Sequence, residues 1–562
     1  MTTTFDHSYD VVVVGSGAAA FAAAITVADR GLSVVMIEGT DRWGGSSAMS
    51  GGGLWLPNNP LMRRHGAADS REEALEYLRQ TVGDDAGPAA SPDRRAAFVD
   101  GVDGLVRMLE HLGVRFVRAA DYPDYYPERP GGKVGRAIEV EPFDVVALGE
   151  SWATSRGRDG VPGPMKTDDF WLLQRAWSSP GGALRAATVV ARVVGMLARR
   201  QHLVGMGAAL TASLFTVAHR LGVDLWLSTP LTGFVLDGGR VVGVRATRGA
   251  DDITIGATRG VVLGAGGFDH NTEWRLRYQG VSGEASSGSK GNLGTAIAAS
   301  EGIGAALDLM DDAWWGASVP PITPDGTAGF LVSERSMPHS IIVDATGHRF
   351  ANESESYVDL GHHMLNHPVP VRFWMIADAR HAHRYLRAYA MDRRAMKAMA
   401  AAGIVHRARS IDRLADRIVV PADALNGTLA RFNGFARTGI DHDFHRGDSA
   451  YDRYYGDPLC RPNPNLGTLE KSPFTAVEIV PGDLGTKGGV VTDVHARALR
   501  SDGSVIDGLY AAGNCSASVM GRTYPGPGST LGPAMVFGYL AGQHLADQRV
   551  ADRQPTPAGV AG

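Results

Sequence analysis

A β-branched run, Tyr9 to Val14, leads directly into GSGAAA (Gly15 to Ala20), which opens an alanine-rich stretch to about Arg30; a second apolar run, Leu32 to Ile37, ends on Glu38. Strand, tight turn, helix and strand in this order read as a β-α-β unit with an acidic residue at the carboxyl end of its second strand. In the pattern G-x-G-x-x-G/A, Gly15 makes the turn, Gly17 lets the backbone approach a pyrophosphate, and a third small residue, here Ala20, allows close helix packing. Ser16, Ala18 and Ala19 complete the cradle, and Glu38, 21 residues beyond Gly17, stands where a ribose offers its hydroxyls. A merely tight turn in an α/β core would leave Glu38 without a role. The expected fold class is therefore α/β, with a Rossmann-like dinucleotide-binding domain.

Which dinucleotide is bound follows from the rest of the chain. Glycine is unusually abundant, 72 of 562 residues against about 7% in ordinary proteins, and much of it falls in three further segments near expected strand ends. WGGSSAMSGGG supplies Gly44, Gly45, Ser46, Ser47, Gly51 and Gly52; GAGGF supplies Gly264, Ala265 and Gly266; GLYAAGN supplies Gly513 and Asn514. STLGPAM, containing Leu531, opens a late apolar helix whose N-terminus stabilises negative charge. A nicotinamide site has little use for a return so late in the chain, so FAD is favoured over NAD.

Helices are expected around Ala74 to Val82 and Arg94 to Leu112, and strands at Leu225 to Leu227, Leu231 to Leu236, Arg240 to Ala246 and Gly260 to Leu263. DYPDYYPERPGGKVGR (Asp121 to Arg136) is too rich in Pro, Gly and Tyr for regular structure and reads as a loop with aromatic side chains to place, of a type that is usually functional or disordered. From about Pro320 to Pro481 the texture becomes a different, α+β mixture. The FAD-binding domain is thus expected to be discontinuous, covering 1–318 and 484–550, interrupted by an α+β catalytic domain at 319–483, with a frayed tail at 551–562.

Net charge of −5 and a pI near 6.4 lack the basic footprint of nucleic-acid binding. Cys460 and Cys515 are too few for a disulfide scaffold or a thiolate metal cluster and suit a reducing cytoplasm. His362 and His363 lie at no metal-ligand spacing, so no metal is expected. The start MTTTFDHSYD lacks a basic, cleavable leader, and the apolar stretch Ala186 to Val217 is broken by Arg192, Arg199, Arg200 and His202. It reads as packed or surface helix rather than a span, which leaves peripheral membrane contact open.

Taken in order, GSGAAA, GGSSAMSGGGLWLPNN, DYYPERPGG, LGAGGF, LDLMDDAWWG, SERSMPHSIIV, GHRFANES, AYDRYYGDP, PGDLGTKGG, GLYAAGN and MGRTYPGPGSTLGPAM resemble the bacterial 3-ketosteroid Δ1-dehydrogenases over nearly the whole chain. The resemblance implies a FAD flavoprotein, similar in fold to the fumarate reductases, that inserts a double bond between C1 and C2 of a 3-ketosteroid and passes electrons to a quinone-like or artificial acceptor. It casts Tyr524 and the backbone N–H of Gly528 as donors to the C3 oxygen, Tyr357 as the base that takes the C2 proton, and Tyr125, with Tyr126 close behind, as its relay. The C1 hydrogen would leave as hydride to flavin N5.

Two departures stand out. Ser356 precedes Tyr357 where proline is common in the family, and Ala20 replaces the third fingerprint glycine. The stretch from Thr40 to Gly53 has no histidine, so the FAD is expected to be non-covalent. Trp314 and Trp315 are core or pocket wall, and Arg335, Arg349 and Glu353 are either a solvated cluster or a shell behind the tyrosines. The rival readings are a 3-ketosteroid Δ4-(5α)-dehydrogenase, a fumarate-type reductase, and a non-enzymatic steroid-binding or electron-transfer flavoprotein. A fumarate-type site would need guanidinium and imidazole clamps for its dicarboxylate.

Overall fold

In the computed structural model the described residues are 4–548 except 324, 325, 327, 369–371, 388, 389 and 391; the expected tail at 551–562 lies outside them. The GSGAAA unit forms as read. Strand His7–Val14 passes through the turn into helix Ala18–Asp29 and returns as strand Val34–Ile37. Nearly every residue of the helix is buried, which is why it is built of alanine: only small side chains let it lie close to the sheet and to the late helix Leu531–Asp547 that packs against it.

The two strands sit inside an eight-stranded sheet. Asp224–Trp226 pairs parallel with Val34–Ile37, Asp251–Leu263 pairs parallel with His7–Val14, and the late strand Val505–Ala511 pairs parallel with Asp251–Leu263. The end of the chain therefore completes the sheet that its start begins. Asp251–Leu263 is longer than the expected Gly260 to Leu263, because its first half forms an antiparallel pair with Arg240–Arg248, and the exposed Asp251 and Asp252 hide that half from an apolar pattern.

A second, six-stranded sheet is antiparallel. Its longest strand, Phe474–Thr486, pairs through its first half with Phe373–Ala377 and Val405–Ala408, and through its second with Ala313–Val319. The expected boundaries at 318/319 and 483/484 thus each cut a strand of this sheet, because strand pairing continues past the change in composition.

The loop 121–136 holds only an isolated bridge between Pro123 and Val134, and buried charge fixes its shape. Arg136 bonds Asp124 at 2.7 Å and grips both oxygens of Asp69 at 2.7 and 2.9 Å, with all three side chains at most 1% exposed. The Trp55 indole N–H and the Lys133 N–H complete Asp124 at 2.7 and 3.0 Å. Burial pushes the Asp124 carboxyl up to about 6 against the pull of Arg136. Arg136→Met leaves two buried carboxylates without their cation, and the expected loss is about 3–5 kcal/mol of folding stability, read from denaturant midpoints of the FAD-saturated protein. A loss under about 1 kcal/mol would show that water or relaxation replaces the guanidinium.

Candidate active site

The glycine-rich segments converge where ligands bind in open α/β sheets, at the carboxyl ends of the parallel strands. They wall a cavity of about 410 Å³, within the usual range for small-molecule sites of roughly 300–1,000 Å³. Gly15 has φ +102°, and a Cβ there would lie 2.4 Å from the Gly264 carbonyl oxygen, so both the turn and the approach of the two strand ends require glycine. Helix Ala18–Asp29 opens on the cavity from Gly17, which has no side chain to cap it, and the Ala18 N–H is met by Ser47 Oγ at 3.1 Å. That arrangement suits a pyrophosphate. Glu38 is oriented by the Ser16 hydroxyl at 2.6 Å and by the Thr40 N–H and hydroxyl, each at 2.9 Å; it lines the cavity with its acceptors fixed for ribose hydroxyls. These features fit a dinucleotide.

Of the expected cofactor residues, Gly15, Ser16, Gly17, Ala18, Ala19, Glu38, Gly45, Ser46, Ser47, Gly51, Gly52, Gly264, Ala265, Gly266, Gly513, Asn514 and Leu531 line the cavity. Gly44 does not. It is left-handed, with φ +106°, and donates its N–H to Ser16 Oγ at 3.0 Å, so it braces the cradle from behind. Sequence reading missed Ser287, Ser289, Gly291 and Asn292, which also line the cavity. Ser289 N–H and Asn292 Nδ2 both donate to Ser46 Oγ, at 2.9 and 3.0 Å. The available signal was the Ser/Gly-rich text SSGSKGN.

The same cavity continues into an aromatic and apolar end containing Tyr122, Tyr125, Tyr357, Tyr524, Phe170, Trp171, Phe330 and Met206. Tyr125, Tyr357 and Tyr524 come from three distant segments and pack as a triangle: ring centroids are 5.1 Å apart for Tyr125 and Tyr524, 5.4 Å for Tyr125 and Tyr357, and 4.9 Å for Tyr357 and Tyr524. Pro525, which follows Tyr524, ties that segment to Tyr125, whose N–H donates to its carbonyl at 2.9 Å; the Tyr77 hydroxyl donates to the same carbonyl at 2.6 Å. Tyr126 does not line the cavity and donates to Asp359 at 3.0 Å, whereas Tyr125 lines it. Tyr122, not singled out from the sequence, hydrogen-bonds Tyr455 and lies 3.5 Å from the Tyr125 hydroxyl.

Burial, and then the neighbouring phenols Tyr125 and Tyr524, push the Tyr357 phenol well above its usual range. Burial likewise raises Tyr524, while hydrogen bonds from Thr530, Tyr357 and the backbone N–H groups of Gly528 and Thr530 pull it back. Gly528 has φ +95°, and a Cβ there would lie 2.2 Å from the Gly53 carbonyl oxygen. A buried phenol held neutral is a good hydrogen-bond donor, and here it stands beside a backbone N–H in an apolar wall.

Behind the tyrosines, Arg335, Arg349 and Glu353 are buried, so the solvated-cluster alternative falls. Arg349 grips Glu353 with two bonds of 2.7 Å and Asp441 at 2.8 and 3.1 Å, and Arg446 adds a bond to Glu353 at 3.1 Å. Burial would raise the Glu353 carboxyl, but Arg349 and Arg446 hold it below the ordinary range. This cluster ends four residues before Tyr357, the first residue of helix Tyr357–Leu365. Trp314 stands edge-on to Tyr524 at 5.3 Å, and Trp315 is core, its indole N–H bonded to Asp312 at 2.8 Å. Among the described residues no group of His, Cys, Asp and Glu could hold a metal; His362 pairs with Asp312 and His363 with Glu355. Cys515 is buried, with its thiol pushed up to about 11, and behaves as a small core residue.

A family model described as a FAD binding domain matches residues 10–531. A 3-oxosteroid 1-dehydrogenase of Mycobacterium tuberculosis is 45% identical over 563 residues, covering 96% of this chain and 99% of that protein. The chain belongs to the 3-oxosteroid 1-dehydrogenase family of FAD flavoproteins. A solved 3-ketosteroid Δ1-dehydrogenase from Sterolibacterium denitrificans, in complex with 1,4-androstadiene-3,17-dione, matches this dehydrogenase with a TM-score of 0.89 at 36% identity, over 96% of this chain and 99% of that one. A 3-ketosteroid Δ4-(5α)-dehydrogenase from Rhodococcus jostii, at 22% identity and a TM-score of 0.63 over 98% and 99% of the two chains, shares the fold alone. The cofactor is FAD, as the sequence led us to expect.

Proposed function

We propose that this dehydrogenase desaturates the C1–C2 bond of 3-ketosteroids in steroid breakdown. The observation that carries the reading is the convergence of Tyr125, Tyr357 and Tyr524 with Gly528 in an apolar extension of the FAD cavity. Tyr524 Oη and the Gly528 N–H donate to the C3 carbonyl oxygen. As the C2 proton departs, enolate charge builds on that oxygen, and donors already aimed at it stabilise the transition state more than the ground state. Tyr357 takes the C2 proton. Tyr125 stands beside it as the relay, backed by the Tyr122 hydroxyl. Bound FAD supplies the acceptor for the C1 hydride. The apolar wall of Phe330, Phe170, Trp171 and Met206 excludes water and fits a rigid hydrocarbon ring system. Phenol donors in an apolar slot favour a neutral ketone over the dicarboxylate of a fumarate-type reductase.

The chain divides, on this reading, into a discontinuous Rossmann-like FAD-binding domain and an interrupting α+β catalytic domain. The boundaries fall outside the strands Ala313–Val319 and Phe474–Thr486 rather than within them. Free Cys460 and Cys515 suit a reducing cytoplasm, with a quinone-like or artificial acceptor reoxidising the cofactor.

Anaerobic mixing of the FAD-loaded protein with androst-4-ene-3,17-dione tests the assignment. The expected outcome is loss of the flavin absorbance with formation of the 1,4-diene-3,17-dione, identified by mass spectrometry and NMR. A flavin left unbleached would overturn the substrate, and a double bond elsewhere in the ring system would overturn the regiochemistry.

A further inference from the structure

Two cations are buried in the wall between the dinucleotide cradle and the tyrosines, and neither takes part in the chemistry at C1, C2 and C3. A small second cavity of about 20 Å³ lies behind Gly513, Asn514, Thr530 and Ala534, four residues that also wall the FAD cavity, and both Arg94 and Lys487 line it. Gly513 adjoins the cradle itself, since a Cβ there would lie 3.2 Å from the Ala19 Cβ. Glu38 occupies the ribose side of the cradle. The opposite side, which runs on to Tyr524 and Gly528, is left for the flavin half of the cofactor.

The two cations differ in their partners. Lys487 is neutralised: its Nζ bonds Asp312 at 3.1 Å and sits 4.9 Å from the centre of the Trp314 ring. Arg94 is not. It is 2% exposed, its Nη1 donates to the carbonyls of Ala89 and Ala517, its Nε has no partner, and its guanidinium lies over the Phe537 ring at 4.7 Å. Among the described residues no carboxylate bonds it. Burial lowers Arg94 to about 10, while Asp493 and Asp308 act on it only from a distance, so it is charged at neutral pH. A buried charge held by carbonyl dipoles and a ring alone is costly to folding, and that cost is offset where a negative charge forms nearby. Phe537 belongs to helix Leu531–Asp547, whose first turn faces the FAD cavity and whose N-cap Thr530 makes no side-chain cap bond. The positive end of that helix and Arg94 thus act on the same stretch of wall.

A hydride added to the neutral, oxidised flavin ring brings two electrons and one proton and leaves one negative charge on the ring. We propose that Arg94 is the counter-charge for that anion: from behind the wall of Gly513, Asn514, Thr530 and Ala534 its guanidinium stabilises reduced over oxidised flavin and raises the reduction potential of the cofactor. The interior transmits this field because little water intervenes to screen it. Lys487 contributes little, since Asp312 cancels its charge. Arg94 acts through the wall and touches no reacting atom. The proposal rests on the FAD of this family and on no particular substrate.

The test is a spectroelectrochemical titration of the FAD-loaded wild type, Arg94→Met and Arg94→Lys. Sulfite binding is the second readout, because sulfite adds to flavin N5 and leaves the same single negative charge on the ring. Arg94→Met is expected to shift the reduction equilibrium at least about tenfold toward the oxidised form, a fall of about 30 mV for two electrons, and to weaken sulfite binding by a similar factor. Arg94→Lys should keep both close to wild type. A potential unmoved in folded, flavin-loaded Arg94→Met overturns the proposal and leaves Arg94 a structural residue. So does an equal loss in Arg94→Lys, which would make the shape of the guanidinium, and not its charge, the cause. Should neither variant fold, wild type decides: its potential is expected to fall with pH, across neutrality, at the slope of two electrons and one proton. The steeper slope of two electrons and two protons would show a neutral reduced flavin and sink the idea. No steroid enters these measurements, so their failure leaves the proposed desaturation standing, and a flavin unresponsive to steroid leaves the role of Arg94 standing.

Discussion

Tyr524→Phe is expected to lower kcat by about 10²–10³-fold, the usual cost of removing one donor from an oxyanion site, with little change in KM. The expectation follows from when the donor matters. The ground-state ketone carries little charge on its oxygen, so the phenol contributes modestly to binding; the enolate-like transition state carries nearly a full charge in an apolar wall, where a preorganised donor has its largest effect. The substitution is structurally mild. Tyr524 is buried among Tyr125, Tyr357 and Trp314 through its ring, and phenylalanine keeps those contacts. The Tyr524 hydroxyl accepts from Thr530 Oγ1 at 3.5 Å, a long bond, and the loop that carries it is held independently through the Pro525 carbonyl, which accepts from Tyr125 N–H at 2.9 Å and the Tyr77 hydroxyl at 2.6 Å. The flavin spectrum and the denaturation midpoint should therefore match wild type, and the loss should appear in steady-state turnover with androst-4-ene-3,17-dione. Near-normal kcat in a folded, flavin-loaded Tyr524→Phe protein would remove the phenol from the mechanism.

What was readable in the sequence, and what was not, divides along physical lines. The cradle for the dinucleotide was legible because its requirements are local: Gly15 must adopt a positive φ beside the Gly264 carbonyl, and Glu38 must end a strand. The three tyrosines were reached only through the resemblance, since nothing in the local text of residues 125, 357 and 524 says that they meet. Their meeting depends on long-range bonds such as Tyr125 N–H to the Pro525 carbonyl. Ser289 and Asn292 were missed for the same reason, because their partner, Ser46, lies some 240 residues away. Gly44 was grouped with its cavity-lining neighbours, yet its N–H turns back to Ser16. The buried Arg349–Glu353–Asp441 network could not be told from a surface cluster by composition, since burial of charge is decided by partners that the sequence separates.

Tyr357→Phe is expected to cost about 10²–10⁴-fold in turnover, the range for loss of a general base, and to change the pH profile as a merely structural residue would not. Tyrosine is a weak base at its reference pKa of about 10, and in this site burial and the adjacent phenols raise it further. The sign of the pH effect follows. A phenol whose pKa lies well above the assay range is almost wholly protonated, so the active phenolate fraction increases about tenfold for each pH unit until the pKa is reached. Wild-type kcat/KM should accordingly climb with pH across the range in which the protein is stable, whereas the residual activity of Tyr357→Phe should be flat. Phenylalanine keeps the ring contacts with Tyr125, Tyr524 and Phe330, so folding and flavin content should be unaffected. A variant that is slow yet keeps the rising profile would assign the titrating base to another group, with Tyr125, packed against Tyr357 and also raised by burial, first in line. A wild-type profile that falls with rising pH would mean that the phenol acts as a proton donor instead, which reverses the roles of the two tyrosines at C2 and C3.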